Sequence, residues 1–134
     1  KNQILIQAIL RNKNFKIVTA SDGEEGLEAV AECNPDLILM DAMMPKLDGF
    51  KATKRLKSND KTKIIPIIMV TALTKVEDRI EALKTGADDF LNKPIDRLEL
   101  IARVASSLKI KDYYDNLLNY QNFHELKHRK YIDQ

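Results

Sequence analysis

The sequence predicts an α/β fold, a parallel sheet doubly wound by helices, with a helical extension at its C-terminal end. Three observations carry that expectation. The apolar runs at residues 37–40 and 64–71 are short and continuous, the pattern of strands covered on both faces rather than of half-exposed strands or buried helices. Stretches with helical spacing alternate with them. No Gly or Pro interrupts the chain from residue 108 to residue 134, so nothing stops the last helix.

In chain order, residues 2–12 carry Ile4, Leu5, Ala8 and Ile9 at helical spacing. Residues 15–20 are short and β-branched, a strand. Ser21-Asp22-Gly23-Glu24-Glu25 offers an N-cap with a carboxylate three residues on. The helix it opens runs through Leu27 and Val30 to about Cys33, where Asn34-Pro35 breaks it. The strand over 37–40 stops at Asp41, and a loop with Pro45 and Gly49 follows. Residues 50–58 read as a helix with Lys51, Lys54, Arg55 and Lys57 outward. The second apolar strand, 64–71, has Pro66 near its entrance, where a missing N–H is tolerated. Thr74-Lys75-Val76-Glu77 is a capping box opening a helix through Ile80 and Leu83 that Gly86 ends. Residues 90–93 form a short strand before Pro94. Asp96 caps the last helix, with Leu98, Ile101, Ala102, Ala105 and Leu108 expected on its inner face.

Composition narrows the function classes. With 134 residues the chain is one domain with room for a core, and its 44% hydrophobic and 31% charged content is that of an ordinary soluble protein. A net charge of +2 leaves no electrostatic footprint for nucleic acid or an anionic membrane. The one cysteine, Cys33, has no internal partner for a disulfide, which suits the cytoplasm. No apolar run approaches the roughly 20 residues that span a bilayer, and no secretory leader is visible. The chain opens at Lys1 directly in helical pattern, which reads as a piece of something longer. The four glycines stand singly, against an enzyme that cradles a phosphate or nucleotide in a Gly-rich loop.

Three expected strands end in polar residues: Asp41, Thr71 and Lys93. Strands of a parallel sheet point one way, so these side chains should meet along one edge, where ligands of open α/β sheets bind. Singly each is weak evidence, because strand-end Asp and Thr often cap the next helix and a lysine before proline is usually solvated. Together, a carboxylate, a hydroxyl and an ammonium suit chemistry on a phosphoryl group. Asp41 would be the nucleophile of an acyl phosphate, Lys93 the positive charge and Thr71 a hydrogen-bond donor.

With Leu-Met-Asp41-Ala-Met-Met-Pro45-Lys-Leu-Asp48-Gly49, Met-Val-Thr71-Ala72, Gly86-Ala-Asp-Asp-Phe90-Leu and Lys93-Pro94 in order, the sequence resembles the receiver domains of two-component response regulators. The resemblance covers most of residues 1–108 and implies a flavodoxin-like (CheY-like) sheet. Within the family, Val70-Thr71-Ala72-Leu73, Ala87-Asp88-Asp89-Phe90-Leu91 and Ala102-Arg103-Val104 look most like PleD-type regulators, whose output domain is a diguanylate cyclase. The resemblance implies that Asp41 takes a phosphoryl group from a phosphohistidine on a histidine kinase or phosphotransfer protein. It implies that Mg²⁺ bridges Asp41, the backbone carbonyl of Met43 and the phosphate, that Lys93 pairs with the phosphate, and that Lys93-Pro94 is cis. Thr71 would turn toward the phosphate and Phe90 fill the space it leaves, a two-state switch. Phe90 lacks the hydroxyl of the Tyr that many relatives carry, so its two states would differ by packing alone.

One departure is serious. The resemblance places a first strand, ending in a pair of metal-holding acids, just before Lys1. That strand would be central, between those ending at Ala20 and Asp41, and its loss would leave an open slot and unpaired backbone groups. The expectation is that the parent protein carries it, rather than that another segment fills the slot. With these 134 residues alone, weak metal binding and little phosphorylation are expected.

Residues 1–108 thus read as an N-terminally incomplete receiver and 109–134 as an extension. Ile110, Tyr113 or Tyr114, Leu117, Tyr120 or Gln121, and His124 approximate a seven-residue repeat. Two courses are open: a linker helix that pairs with a copy of itself and joins an output domain, or a segment that folds back or frays near the basic cluster at 127–130. His124 and His128 lie one helical turn apart but have no third metal ligand. The leading function is a phosphorylation-controlled regulatory module, not itself an enzyme and with no direct nucleic-acid or membrane contact. The alternative is a receiver-like interaction or dimerisation module that takes no phosphate.

Overall fold

The computed structural model describes residues 18, 20, 22–42, 48–72 and 76–132. The elements are α1 (Gly23–Cys33), β1 (Ile38–Asp41), α2 (Gly49–Ser58), β2 (Ile67–Thr71), α3 (Val76–Lys84), β3 (Asp89–Asn92) and α4 (Arg97–Ile132). The helix expected over 2–12, all but two residues of the strand expected over 15–20, the loop over 43–47 and the cap at Thr74 lie outside the described residues.

Among the described residues the sheet is parallel, in the order β1-β2-β3. Strand alternation sorts its side chains onto two faces. Ile38, Met40 and Ile67 pack with Leu27 and Val30 of α1 and Ala52 and Leu56 of α2. Met69 packs with Ala42 and with Ala82 of α3. On the other face Leu37, Leu39, Ile68, Val70 and Leu91 pack against Leu100 and Val104 of α4. Helices therefore cover both faces, and β2 is buried along its whole length, as its unbroken apolar run requires.

Local chemistry sets the element ends. Asp22 Oδ1 accepts from the Glu25 N–H at 2.9 Å and opens α1, while Asn34 at φ 46° closes it with its N–H on Val30 O. Asp48 caps α2 through the Lys51 N–H at 2.8 Å, so this helix begins at Gly49, one residue before the expected start. Asp96 accepts from the Glu99 N–H at the head of α4.

Four expectations need correction. β2 begins at Ile67, not at residue 64, because Thr62 Oγ1 holds the Leu56 carbonyl at 2.6 Å and keeps the chain in a turn up to Ile65. β3 spans 89–92 rather than 90–93, although the Lys93 N–H still bonds Thr71 O at 2.8 Å. Lys57 does not point outward: its ammonium donates to Lys63 O and Ile65 O at 3.0 and 2.8 Å and pairs with Asp88 at 2.6 Å. The inner face of α4 is Leu100, Val104, Ser107 and Lys111, with Ile101 and Leu108 at its border. Leu98 is 75% exposed, and Ala102 and Ala105 also face out. Both sets recur at helical spacing, and the position of the sheet selects between them.

Beyond Leu108 the helix continues without a break to Ile132. No helix among the described residues is long and apolar enough to cross a membrane.

Candidate functional site

Asp41 ends β1, and its carboxylate receives the Lys93 ammonium at 3.1 and 3.2 Å, one bond to each oxygen. The pair joins positions 52 residues apart in sequence and stays partly open to solvent. Lys93 follows β3 directly, and its bond to Pro94 is cis, as the resemblance implies. Thr71 ends β2 between them and is buried. It stands beside Asn92 in the β2–β3 register. The three strand-end residues thus occupy one edge of the sheet, the placement expected from the direction of parallel strands.

Phe90 lies in β3, half-buried against the cluster of Ala42, Met69 and Ala82. A cavity of about 260 Å³ next to it is lined by Thr71, Ala82, Leu83, Asp89, Phe90, Asn92, Glu99 and Arg103. Thr71 therefore belongs both to the site edge and to the space beside Phe90. Arg103 fastens α4 to β3 there, bonding Asp89 Oδ1 and, one helical turn back, Glu99 at 3.0 Å. The hydrogen bonds it donates to Asp89 and then to Glu99 raise its pKa above the ordinary arginine value. A larger concave surface, about 810 Å³, runs along the exposed Lys51, Lys54, Arg55 and Lys61 and includes none of these residues.

Sequence reasoning missed Gly49. Its N–H donates to Ala42 O at 3.1 Å, and a Cβ there would overlap the Asp41 carbonyl oxygen and lie 2.8 Å from Ala42 Cα. Only glycine lets the first turn of α2 sit against the backbone that carries Asp41. The Asp-Gly pair at 48–49 was the available signal, and it reads equally as a turn.

Among the described residues, no group of three or more His, Cys, Asp or Glu side chains could hold a metal ion. Asp41 supplies one carboxylate, and Met43 lies outside the described residues. The described residues do not by themselves complete a divalent-cation site.

A doubly wound α/β domain with an Asp–Lys pair and a buried threonine at the carboxyl edge of its strands has the architecture of a regulatory receiver domain. Residues 1–105 match the family described as Response regulator receiver domain, and the chain belongs to that family. It is 43% identical over 116 residues to the response regulator PleD of Caulobacter vibrioides, covering 87% of this chain and 26% of that protein. It is 39% identical over 108 residues to the DNA-binding dual master transcriptional regulator RpaA of Synechocystis, covering 81% and 45%. Among solved structures it resembles the receiver domain of a sensor histidine kinase from Pseudomonas aeruginosa, which has a magnesium ion coordinated in its active-site cleft. That likeness has a TM-score of 0.74 and 32% identity, over 81% of this chain and 88% of that one. The chain spans less than half the length of these two curated relatives. It is a receiver domain of two-component response regulators, and as such a regulatory domain.

Proposed function

We propose that Asp41 is the phosphoacceptor, that Lys93 and Thr71 are its working partners, and that the domain switches an output domain joined through α4. The observation that carries this reading is the Lys93 ammonium resting on both carboxylate oxygens of Asp41 at an open sheet edge. A phosphohistidine on a histidine kinase or phosphotransfer protein would donate the group. The P–N bond breaks as one Asp41 oxygen bonds phosphorus, and the released imidazole nitrogen takes up a proton. Lys93 can then shift from the carboxylate to a phosphate oxygen without leaving the edge. Mg²⁺, when bound, supplies charge that lets two anions approach. The Asp41 carboxylate and the Met43 carbonyl would be this chain's share of that site.

Thr71 and Phe90 share the cavity beside β3, which supports their roles as the two parts of the switch. In this reading residues 1–108 are the receiver and 109–134 the connection to the output domain. The likeness to PleD favours a diguanylate cyclase as that output, so any catalysis belongs to the rest of the parent protein. The exposed thiol of Cys33 suits a cytoplasmic setting.

Incubating the parent protein with Mg²⁺ and a small acyl-phosphate donor, followed by intact mass, tests the assignment. One added phosphoryl group, lost in Asp41→Asn, is expected. No uptake by the parent protein would leave the domain as an interaction module.

A further inference from the structure

We propose that Asn92 is a positioning residue of the phosphoryl site: its carboxamide donates a hydrogen bond to Thr71 Oγ1 once that hydroxyl has turned to the phosphate. The inference rests on the phosphoacceptor reading of Asp41 and adds a residue to it. Asn92 ends β3, although asparagine is depleted in strands. The other three residues of the strand have structural duties. Asp89 pairs with Arg103, Phe90 packs against Met69 and Ala82, and Leu91 lies in the core. Asn92 is exposed, and its side chain makes no hydrogen bond among the described residues.

The sheet sets Asn92 beside Thr71. The two are register partners on parallel strands. Adjacent strands lie about 4.7–4.9 Å apart, so a hydroxyl and a short carboxamide arm on one face can meet at hydrogen-bond distance. They do share a face. Alternation places Asn92 in the row of Phe90 and Thr71 in the row of Met69, and both line the cavity of about 260 Å³. The Lys93 N–H bonds Thr71 O at 2.8 Å and fixes that register. This bond does not involve the Lys93 ammonium, which is the group that shifts to the phosphate.

The chemistry selects the donor. A threonine hydroxyl has one proton to give and two lone pairs to receive with. With its proton on a phosphate oxygen, Thr71 Oγ1 gains from a donor behind it, because linked hydrogen bonds polarise one another. The amide of Asn92 carries two such protons. Of the other polar side chains lining the cavity, Asp89, Glu99 and Arg103 are bound to one another. Phe90 has no hydroxyl to offer. Asn92 thus supplies the polar preference that Phe90, acting by packing alone, does not.

Titration of the parent protein with beryllofluoride, a phosphoryl mimic, in Mg²⁺ tests this. Wild type should bind. Asn92→Ala should bind about threefold to tenfold more weakly, the worth of one neutral hydrogen bond, with its unfolding midpoint unchanged. Asn92→Asp, which cannot donate and adds a negative charge, should weaken binding at least as much. In a Thr71→Val background Asn92→Ala should have no further effect, whereas in a Thr71→Ser background its loss should return. Asn92→Ala binding as tightly as wild type, or losing as much in the Thr71→Val background as in wild type, would overturn the proposal and leave Asp41 the acceptor. No binding by the wild-type parent would also overturn it, and the absence of phosphoryl uptake as well would take the phosphoacceptor reading with it.

Discussion

Gly49→Ala tests a place where the fold forbids a methyl group beside the candidate site. In a helix, exchanging Gly for Ala ordinarily stabilises by about 0.5–1 kcal/mol, because alanine loses less backbone entropy on folding. At position 49 the new Cβ would overlap the Asp41 carbonyl oxygen and stand 2.8 Å from Ala42 Cα and the Asp41 carbonyl carbon. Carbon atoms sit comfortably at about 3.5–4.0 Å, so α2 or the end of β1 must move by about 1 Å. Neither side yields readily, since both are backbone, pinned by the Gly49–Ala42 hydrogen bond and the Asp48 cap. Overpacking of this kind costs about 1–3 kcal/mol, which outweighs the gain in propensity. The expected net loss is about 1–2 kcal/mol, a fall in Tm of roughly 4–8 °C for a domain of this size. Gly26→Ala is the control, because among the described residues its methyl meets only Ala20 Cβ at an ordinary 3.9 Å. It should stabilise by about 0.5–1 kcal/mol. Thermal and urea unfolding of the two variants, with phosphoryl uptake measured alongside, decides the matter. A Gly49→Ala protein as stable as wild type, with uptake intact, refutes the steric argument.

Three further outcomes are expected. Lys57→Met keeps the side-chain stem against Gly86 but removes the ammonium from Lys63 O, Ile65 O and Asp88, so urea unfolding should show a loss of about 2 kcal/mol. Phosphoryl uptake should be unchanged, because that clamp lies at the other end of β2 from Thr71. Thr53 is fully buried and its hydroxyl makes no hydrogen bond among the described residues, so Thr53→Val should raise stability by about 1 kcal/mol in the same assay. Lys93→Gln should change stability by less than about 1 kcal/mol, since its ion pair is partly exposed. It should nonetheless slow phosphoryl uptake roughly tenfold or more, the loss expected from one charge-assisted bond.

The parts of the fold legible in the sequence were those with a single physical explanation. The runs before Asp41 and Thr71 had to be covered strands, and a parallel sheet then had to bring the ends near Lys93. What escaped had two equivalent explanations. The helix from 97 to 108 offers Leu98, Ala102 and Ala105 as one apolar row and Leu100 and Val104 as another. The second wins only once the sheet stands beneath it, and it continues into Ser107 and Lys111, polar residues that disguise a buried face. Lys57 sits among four basic residues of α2, and its inward turn depends on carbonyls freed by the bend at 59–65. The strand expected from residue 64 was shortened by one hydroxyl, Thr62, that no apolar pattern registers.

In the proposed function, the register of the sheet would let the edge serve as a switch as well as a binding site. Asp41 stands opposite Val70, and Thr71 opposite Asn92, so β2 and β3 end level and β1 ends one residue earlier. Alternation then divides the four key positions into two rows. Asp41 continues the row of Leu37 and Leu39, and Lys93 continues that of Leu91, the face packed on α4. Thr71 and Phe90 continue the opposite row, with Met69 and Ala82. The charged pair and the Thr–Phe pair thus belong to different faces and meet only where the strands end. On that reading, a change at the carboxylate would reach the Phe90 cavity through Thr71, which lines it, without passing through the packed core. A one-residue slip of β2 would turn Thr71 to the face of the charged pair and part it from Phe90. Full burial of β2 makes that slip costly, because it would trade the apolar layers of both faces together.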